Sequence, residues 1–536
     1  MSKNLSSPLI KWWAPLKFTT FRMLWIVWLT ANICMWMNDV AASWLMTSLS
    51  TSAAMIALVQ TASNLPVFLL GLPSGALADI LDRKKYFLFT QIWVAVNASV
   101  LFITAVFELL NPGLLLVLTF LNGVGLAMRW PVFAAIVPQL IPKDHLSPAL
   151  ALNGIALNIS RIVGPIVAGL VISTLGIAEV FALNVVFSIM AAVIVYRWKF
   201  QAEVSTLPGE RFIGAMRVGW QFIGQSKRIK TVLLRVFIFF MQTSAVLALL
   251  PLIAKDHFHG DAQTFTLLLS CIGFGAVLAA SQLPRLRARW NRTQLANTGS
   301  LIQAVSSIGV VLSPEIWVAI PLLIISGMAW ICSANSLTVS VQLCLPNWVK
   351  ARGMSFYQVS LMGGSALGAA MWGYVTELTD IDIGVISGNV FGLFCLALIY
   401  KQKIEGASEE DLTPVCPIEH PGATHQIDHH EGPVMISIHY QIKEHNRDQF
   451  KIVMAKSRKH RLMQGALSWS LFEDHQNREL FIEYFMFDTW ADYLRRFDRF
   501  TIQDLKMQEE RHSLHAGDTP PKIVREIASK LKVSSK

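Results

Sequence analysis

Residues 75–85 read Gly75-Ala76-Leu77-Ala78-Asp79-Ile80-Leu81-Asp82-Arg83-Lys84-Lys85, and the fold turns on how this stretch is read. It opens on a glycine and small residues at the end of one apolar run and closes on three cations ahead of the next. The flanking runs, 52–77 and 86–107, are each long enough to cross about 30 Å of hydrocarbon. A backbone in hydrocarbon satisfies its own polar groups only as a helix, so both runs predict transmembrane helices. Gly75 and its small neighbours allow close approach by another helix. Asp79 can accept hydrogen bonds from a facing helix end or pair with Arg83, while Arg83, Lys84 and Lys85 stay at the aqueous surface. A charge-linked turn of this kind can latch two helix bundles in one of two arrangements. The plainer reading is an ordinary basic loop.

Outward from this turn the pattern repeats. The chain has 536 residues, 53% of them hydrophobic and 15% charged, where soluble proteins carry about a quarter charged residues. Its apolar runs predict an all-α membrane protein with about twelve transmembrane helices in two six-helix halves. The halves span about 18–198 and 230–401, with a polar stretch at 199–229. The first run begins near Phe18 and is too long for the apolar region of a signal peptide, so it is expected to remain as a span. Lys and Arg are confined to alternate loops: Arg83, Lys84, Lys85 and Lys143; Arg197 and Lys199; Arg285, Arg287, Arg289 and Arg292; Lys350, Arg352, Lys401 and Lys403. The opposite loops hold only Lys255, among the acids Glu108, Glu179, Asp256, Asp261, Glu315, Glu377, Asp380 and Asp382. This bias predicts a multi-pass protein of the cell (inner) membrane with both termini in the cytoplasm. The net charge of +10 is thus a topology signal and not a nucleic-acid footprint. Cys34, Cys271, Cys332, Cys344 and Cys395 lie in or beside apolar runs and Cys416 in a polar stretch. Without a CxxC pair they read as packing residues.

After residues 1–403 the composition changes. Residues 404–432, with Pro414, Pro417 and Pro421, read as a linker. From 433 to 536 a soluble domain begins. Val434, Ile436, Ile438, Tyr440 and Ile442 alternate with polar residues as a half-buried strand. A helix is expected over 445–463, strands at Ala466–Glu473 and Glu479–Asp488, and a helix around Trp490, Tyr493, Leu494 and Phe497. Asp504–His512 reads as a continuation of that helix, and Ile523–Ile527 as a final strand or helix. Strand, helix, strand, strand, helix is the order of a ferredoxin-like unit. His420, His425, His429 and His430 lie in the Pro-rich stretch without a scaffold, so no metal is expected. No phosphate-binding Gly-x-x-x-x-Gly-Lys-Ser/Thr loop occurs, and no cofactor is expected.

The 75–85 stretch resembles the signature G-x-L-x-D-R-x-G-R-K-x of the major facilitator superfamily. Gly75, Leu77, Asp79, Arg83 and Lys84 match; Ile80 stands for the usual arginine and Asp82 for the usual glycine. The equivalent loop of the second half, Ser281–Arg292, keeps only its basic charge. Thr119 stands where the superfamily has a proton-linked arginine, and Arg129 is not its equivalent. The fifth span carries Arg161-Ile-Val-Gly164-Pro165-Ile-Val-Ala-Gly169, which resembles the glycine–proline motif of exporters. There Gly164 and Gly169 remove bulk and Pro165 favours a kink. With Arg129-Trp130-Pro131 and Pro138-Gln139-Leu140-Ile141-Pro142, roughly residues 10–400 resemble the transmembrane secretion effectors, the subfamily that contains the enterobactin exporter. The terminal domain, through Phe481–Tyr493, resembles the antibiotic-biosynthesis monooxygenases with their dimeric α/β-barrel. That resemblance implies homodimerisation or a regulatory module, and His439 and Trp469 as the residues an active site would use; no nucleophile–base spacing supports enzyme activity.

A charge within a span is costly and needs a reason. Arg161 is expected to face a central cavity or a carboxylate. Asp39, in the outer part of the first span, is the candidate proton-titrating acid, a role that burial of a carboxyl favours; alternatively it sits paired or hydrated at the outer interface. Arg129 is a further candidate, nearer the cytoplasmic end. Asn32, Gln60, Asn64, Gln242, Gln303, Asn335 and Gln358 are candidate cavity residues, as are Trp25, Trp28, Trp36 and Trp44. The expected function is secondary export of a small amphipathic molecule by alternating access, coupled to protons, with no enzyme activity. The alternative is a membrane-anchored enzyme or sensor whose terminal domain acts on a small ligand.

Overall fold

The structure, a computed structural model, describes residues 13–199, 212–346, 348–402, 404 and 427–529. The chain forms two compact units. The first comprises residues 1–209, 232–340 and 355–405; the second comprises 210–231, 341–354 and 406–536.

The first unit is built of long helices: α1 (Thr19–Leu49), α2 (Ala53–Ile80), α3 (Arg83–Val106), α4 (Pro112–Leu140), α5 (Leu146–Thr174) and α6 (Ile177–Arg197). After α7 (Phe212–Gln225) come α8 (Lys227–Leu252), α9 (Ala262–Arg289), α10 (Arg292–Leu312), α11 (Ile316–Leu343), α12 (Lys350–Leu378) and α13 (Ile381–Ile399). Ten described helices are long and apolar enough to cross a membrane. Helices α1 and α12 are as long but more polar in composition, and stand outside that set. Large apolar side chains such as Leu170, Val186, Trp317 and Phe394 are exposed on helix faces. Water would penalise that surface, whereas hydrocarbon accepts it.

Short polar caps break the chain into spans. Ser52 accepts from the Met55 amide at the start of α2, and Asn111 from Leu114 at the start of α4. Asp82, in place of the superfamily's glycine, caps α3 by accepting from the Lys85 amide at 3.0 Å. Two cores result. One belongs to the first half alone and includes Phe21, Trp28, Phe87 and Phe133. The other is shared by the halves, joining Met37, Ile56, Leu118 and Phe181 to Leu249, Phe265, Leu323 and Val385.

The halves are tied most visibly at the end with the acidic loops. Ser52 Oγ donates to Glu377 Oε2 at 2.9 Å, the Ala54 amide donates to the same oxygen, and Lys255 Nζ donates to the Thr47 carbonyl. Deeper along α2 and α12, Gln60 and Asn64 each donate to Ser365 Oγ at 3.1 Å.

The second unit holds β1 (Val434–Gln441), α14 (Arg447–Met463), β2 (Ser468–Glu473), β3 (Leu480–Phe487), α15 (Trp490–Asp498), α16 (Ile502–Ser513) and β4 (Lys522–Ile527). Its sheet order is β2-β3-β1-β4 with every neighbouring pair antiparallel. One sheet face buries Ile436, Ile438, Phe481, Phe485 and Phe487 beneath the helices. Three details refine the reading of the sequence. Asp504–His512 does not extend the preceding helix; α15 ends at Asp498, and Thr501 starts α16 with a capping box to Asp504. The segment at 523–527 is a strand, because it pairs with β1. The polar stretch 199–229 contains α7, an amphipathic helix with a single charged residue, Arg217, whose Val218, Phe222 and Ile223 are buried. This short helix is held by the unit around it: Gln221 donates to the Ala466 carbonyl at 3.2 Å, and the Phe222 ring meets Trp348 edge-on at 5.5 Å. Most of the 404–432 stretch, with His420, His425 and Cys416, lies outside the described residues.

Candidate functional site

Helices α1 and α5 set the site. A Cβ added at Gly164 would stand 2.5 Å from the Trp36 Cβ and 3.1 Å from the Ile33 carbonyl oxygen. Without a side chain there, α1 and α5 close together. That approach carries the Trp36 indole to 5.3 Å from the Arg161 guanidinium, one turn below Gly164. Trp330 of α11, from the other half, covers the guanidinium at 4.1 Å. Pro165 lies inside the continuous helix α5; lacking an N–H, it gives the Arg161 carbonyl no helical donor. At Gly169 the neighbour is again the other half, since a Cβ there would collide with the Thr266 side chain of α9.

Trp36, Arg161 and Trp330 help wall a cavity of about 260 Å³ between the halves, lined by α1, α2, α4 and α5 on one side and α8, α9, α11 and α12 on the other. Among its described lining residues Asp39 and Arg161 are the only ionisable ones. Asp39 Oδ1 accepts from Ser63 Oγ at 2.7 Å. Asp39 therefore stands on the cavity wall. Arg161 faces the same cavity and, among the described residues, pairs with no carboxylate. An adjoining cavity of about 70 Å³ shares Arg161, Trp36 and Trp330 and adds Gln303.

Other residues singled out in the sequence lie elsewhere. Arg129 is buried in α4, donates to the Ala31 carbonyl at 3.4 Å and has its guanidinium carbon 5.8 Å from the Trp28 ring; it is not among the lining residues of the main cavity. Gln60, Asn64 and Trp36 line that cavity, whereas Trp25 donates to the Leu152 carbonyl and Trp28 stacks on Phe133 at 4.1 Å. Asn32 bonds within its own helix, Gln242 pairs with Gln303 at 2.6 Å, and Asn335 accepts from Arg287. In the 75–85 turn, Gly75 faces Ser355 of α12, with 3.6 Å from an added Cβ to its hydroxyl oxygen, and Arg83 donates to the Ala135 carbonyl at 3.1 Å. Leu77 is exposed, Lys84 follows Arg83 in the first turn of α3, and the Asp79 side chain lies outside the described ones. Trp330, Ser63 and Ser365 escaped notice in the sequence. A lone indole or hydroxyl in an apolar run carries no signal until a facing helix is known.

A second ionisable cluster lies in the terminal unit. Glu483, wholly buried in β3, receives Arg461 at 2.9 and 3.3 Å, Trp469 Nε1 at 3.0 Å and the Tyr440 hydroxyl at 3.1 Å. Burial alone would push this carboxyl up, but the Arg461 guanidinium beside it holds it down at about 2. Trp469 thus serves a buried charge pair, while His439 alternates onto the opposite sheet face. The sequence did carry a sign of this cluster: Glu483 occupies an inward strand position between Phe481 and Phe485. Among the described residues no three His, Cys, Asp or Glu side chains gather as a metal site.

Two sets of long helices around a shared cavity are the architecture of the major facilitator fold. Solved transporters show the same architecture. A bacterial homologue of the human lysosomal transporter Spinster matches with a TM-score of 0.57 at 15% identity, covering 72% of this chain and 96% of that one. A nucleoside transporter, NupG, matches with a TM-score of 0.56 at 14% identity, covering 72% and 100%. The family is narrower: the model of the transmembrane secretion effectors matches residues 10–532, and the chain belongs to that family. Curated relatives include macrolide efflux protein A of Streptococcus pyogenes, 28% identical over 40% of this chain and 54% of the relative. The staphyloferrin A transporter of Staphylococcus aureus is 19% identical over 52% of this chain and 70% of its own length. The enterobactin exporter of Escherichia coli is 22% identical over 61% and 77%. The chain thus spans about half the length of the macrolide efflux protein it matches.

Proposed function

We propose that the chain is a secondary exporter that moves a small amphipathic molecule out of the cytoplasm by alternating access. The observation that carries this reading is the cavity shared by the two halves, with Asp39 and Arg161 as its only described ionisable residues on a wall that is mostly apolar and aromatic. Binding at the interface of two rocking halves is how such folds expose one site to each side in turn. Relatives named for macrolide efflux and enterobactin export support the outward direction.

In this reading α1 and α12 also span, giving twelve transmembrane helices in halves of about 18–198 and 230–401. Residues 404–432 link them to a ferredoxin-like domain at 433–536, through which two copies can pair. The confinement of Lys and Arg to alternate loops supports an inner-membrane protein with cytoplasmic termini. The ties Ser52–Glu377 and Lys255–Thr47 then lie at the outer face and hold it closed. The Gly75–Lys84 turn and the Gly164-Pro165/Gly169 helix are the elements that shift between packings.

Asp39 is the proton site, making the transporter an antiporter. Arg161, from α5, is the other charged group facing that cavity. Proteoliposomes holding the full chain, loaded with the substrate of a knockout-sensitised strain, are expected to show flux that accelerates with an imposed pH gradient. Asp39→Asn should abolish the gradient's effect and leave exchange down a substrate gradient. Flux indifferent to pH in the wild type rejects the coupling; no flux above empty liposomes rejects transport itself.

A further inference from the structure

The cavity between the halves is unbalanced in its hydrogen bonding, and the imbalance has a sign. Arg161 offers five N–H groups and, among the described residues, makes no hydrogen bond and no ion pair. Its charge lies over the two indole faces of Trp36 and Trp330. These attract a cation weakly and satisfy none of its N–H groups. Two further lining residues hold buried donors without partners, Nε1 of Trp130 and Nε1 of Trp330; the one buried acceptor in the same condition is Oε1 of Gln60. The carboxylate of Asp39 does not answer this surplus: it is engaged by Ser63 and forms no ion pair with Arg161.

A guanidinium that faces a mostly apolar cavity without protein acceptors is best served by a ligand that brings them. The remaining wall is mostly apolar, with Phe240, Phe265 and Leu269 among its residues, and carries a few neutral polar side chains such as Asn64 and Thr243. Resting on the proposed transport role of this cavity, we infer that its ligand is an anionic amphipath, with a carboxylate or similar planar anion on Arg161 and an apolar, preferably aromatic, body against the indoles. A carboxylate matches the guanidinium fork in two parallel hydrogen bonds, which a neutral amide of the same shape does not. A cationic amphipath meets an unscreened like charge and is excluded at this position. Because Trp330 comes from the second half and Arg161 from the first, an anion here competes with the stacking that joins them. Ligand charge therefore acts on the very contact that must change when the halves rock.

The test uses the full chain in lipid nanodiscs and a set of aromatic carboxylic acids, each paired with its own primary amide, with binding followed by calorimetry. Acids are expected to bind about tenfold or more tighter than their amides. Arg161→Gln should erase the difference by weakening the acids alone, and Arg161→Lys should restore part of it. Should Arg161→Gln fail to fold, the acid–amide comparison on the wild type still decides. Equal affinity within pairs, preference for amides or for matched amines, or no binding by any acid overturns the inference. Flux in proteoliposomes without charge preference would sink this inference and leave the transport reading standing, whereas charge-selective binding without flux would do the reverse.

Discussion

Gly164 is the residue on which the geometry of the site depends most directly. Its missing side chain lets the α1 backbone come close enough to place Trp36 over Arg161. Because the first atom an added Cβ would meet belongs to the Trp36 backbone-proximal Cβ, and the next is a backbone oxygen, no rotamer change relieves the clash. Gly164→Val is expected to cost about 1–3 kcal/mol, the usual range for overpacking, seen as a lower melting temperature in detergent. Transport should fall further than stability does, because Trp36 leaves the guanidinium. Glu483 is the corresponding residue of the terminal unit. Removing one partner of a buried ion pair strands the other, so Glu483→Gln should destabilise that unit by about 3–5 kcal/mol.

The Glu483 pair also sets a pH dependence with a definite sign. Its carboxyl is held down at about 2 in the folded unit, against about 4.3 in an unfolded chain. Stability from this pair is therefore complete above about 4.3 and is lost as pH falls from there toward 2. Hydrogen exchange of the full chain, read on peptides covering β1 and β3, should show protection declining through that window. In Glu483→Gln the decline should be shallower, starting from a lower level.

At the scale of elements, α7 shows how a short amphipathic helix depends on the unit around it. A free helix of its length is marginal in water. It persists because Gln221, Arg217 and Phe222 meet Ala466, Asp488 and Trp348 of its own unit. Trp348 also carries the Arg499 guanidinium at 5.0 Å, so it joins three sequence-distant segments. Trp348→Ala should remove about 1–3 kcal/mol of aromatic and cation–π contact. The expected readout is faster amide exchange in residues 212–225, with α10 and α13 unaffected.

For the whole molecule, the arrangement of charge across loops makes a plain prediction. In a cysteine-free background, single cysteines replacing Lys84 and Arg289 are expected to react with an impermeant maleimide from the same side, and one replacing Lys255 from the other. Lys84 and Arg289 labelled from opposite faces would remove the six-plus-six architecture and the export reading with it.

What the amino-acid sequence determined by itself was the helical membrane architecture, the turn at 75–85, the glycine–proline helix and the strand-rich terminal unit. Each follows from local facts: a run long enough to cross hydrocarbon, a residue that lacks a side chain or an N–H, an alternation of period two. It also marked Asp39 and Arg161, because a charge in an apolar run is conspicuous whatever surrounds it. Tertiary structure alone decided that these two share a cavity, that Trp330 of the other half covers Arg161, that Arg129 packs away from the cavity and that Glu483 is paired underneath the sheet. Those facts depend on which faces of helices and strands far apart in the chain come to lie together. A face is set by packing against a partner, and no single run of residues contains its partner.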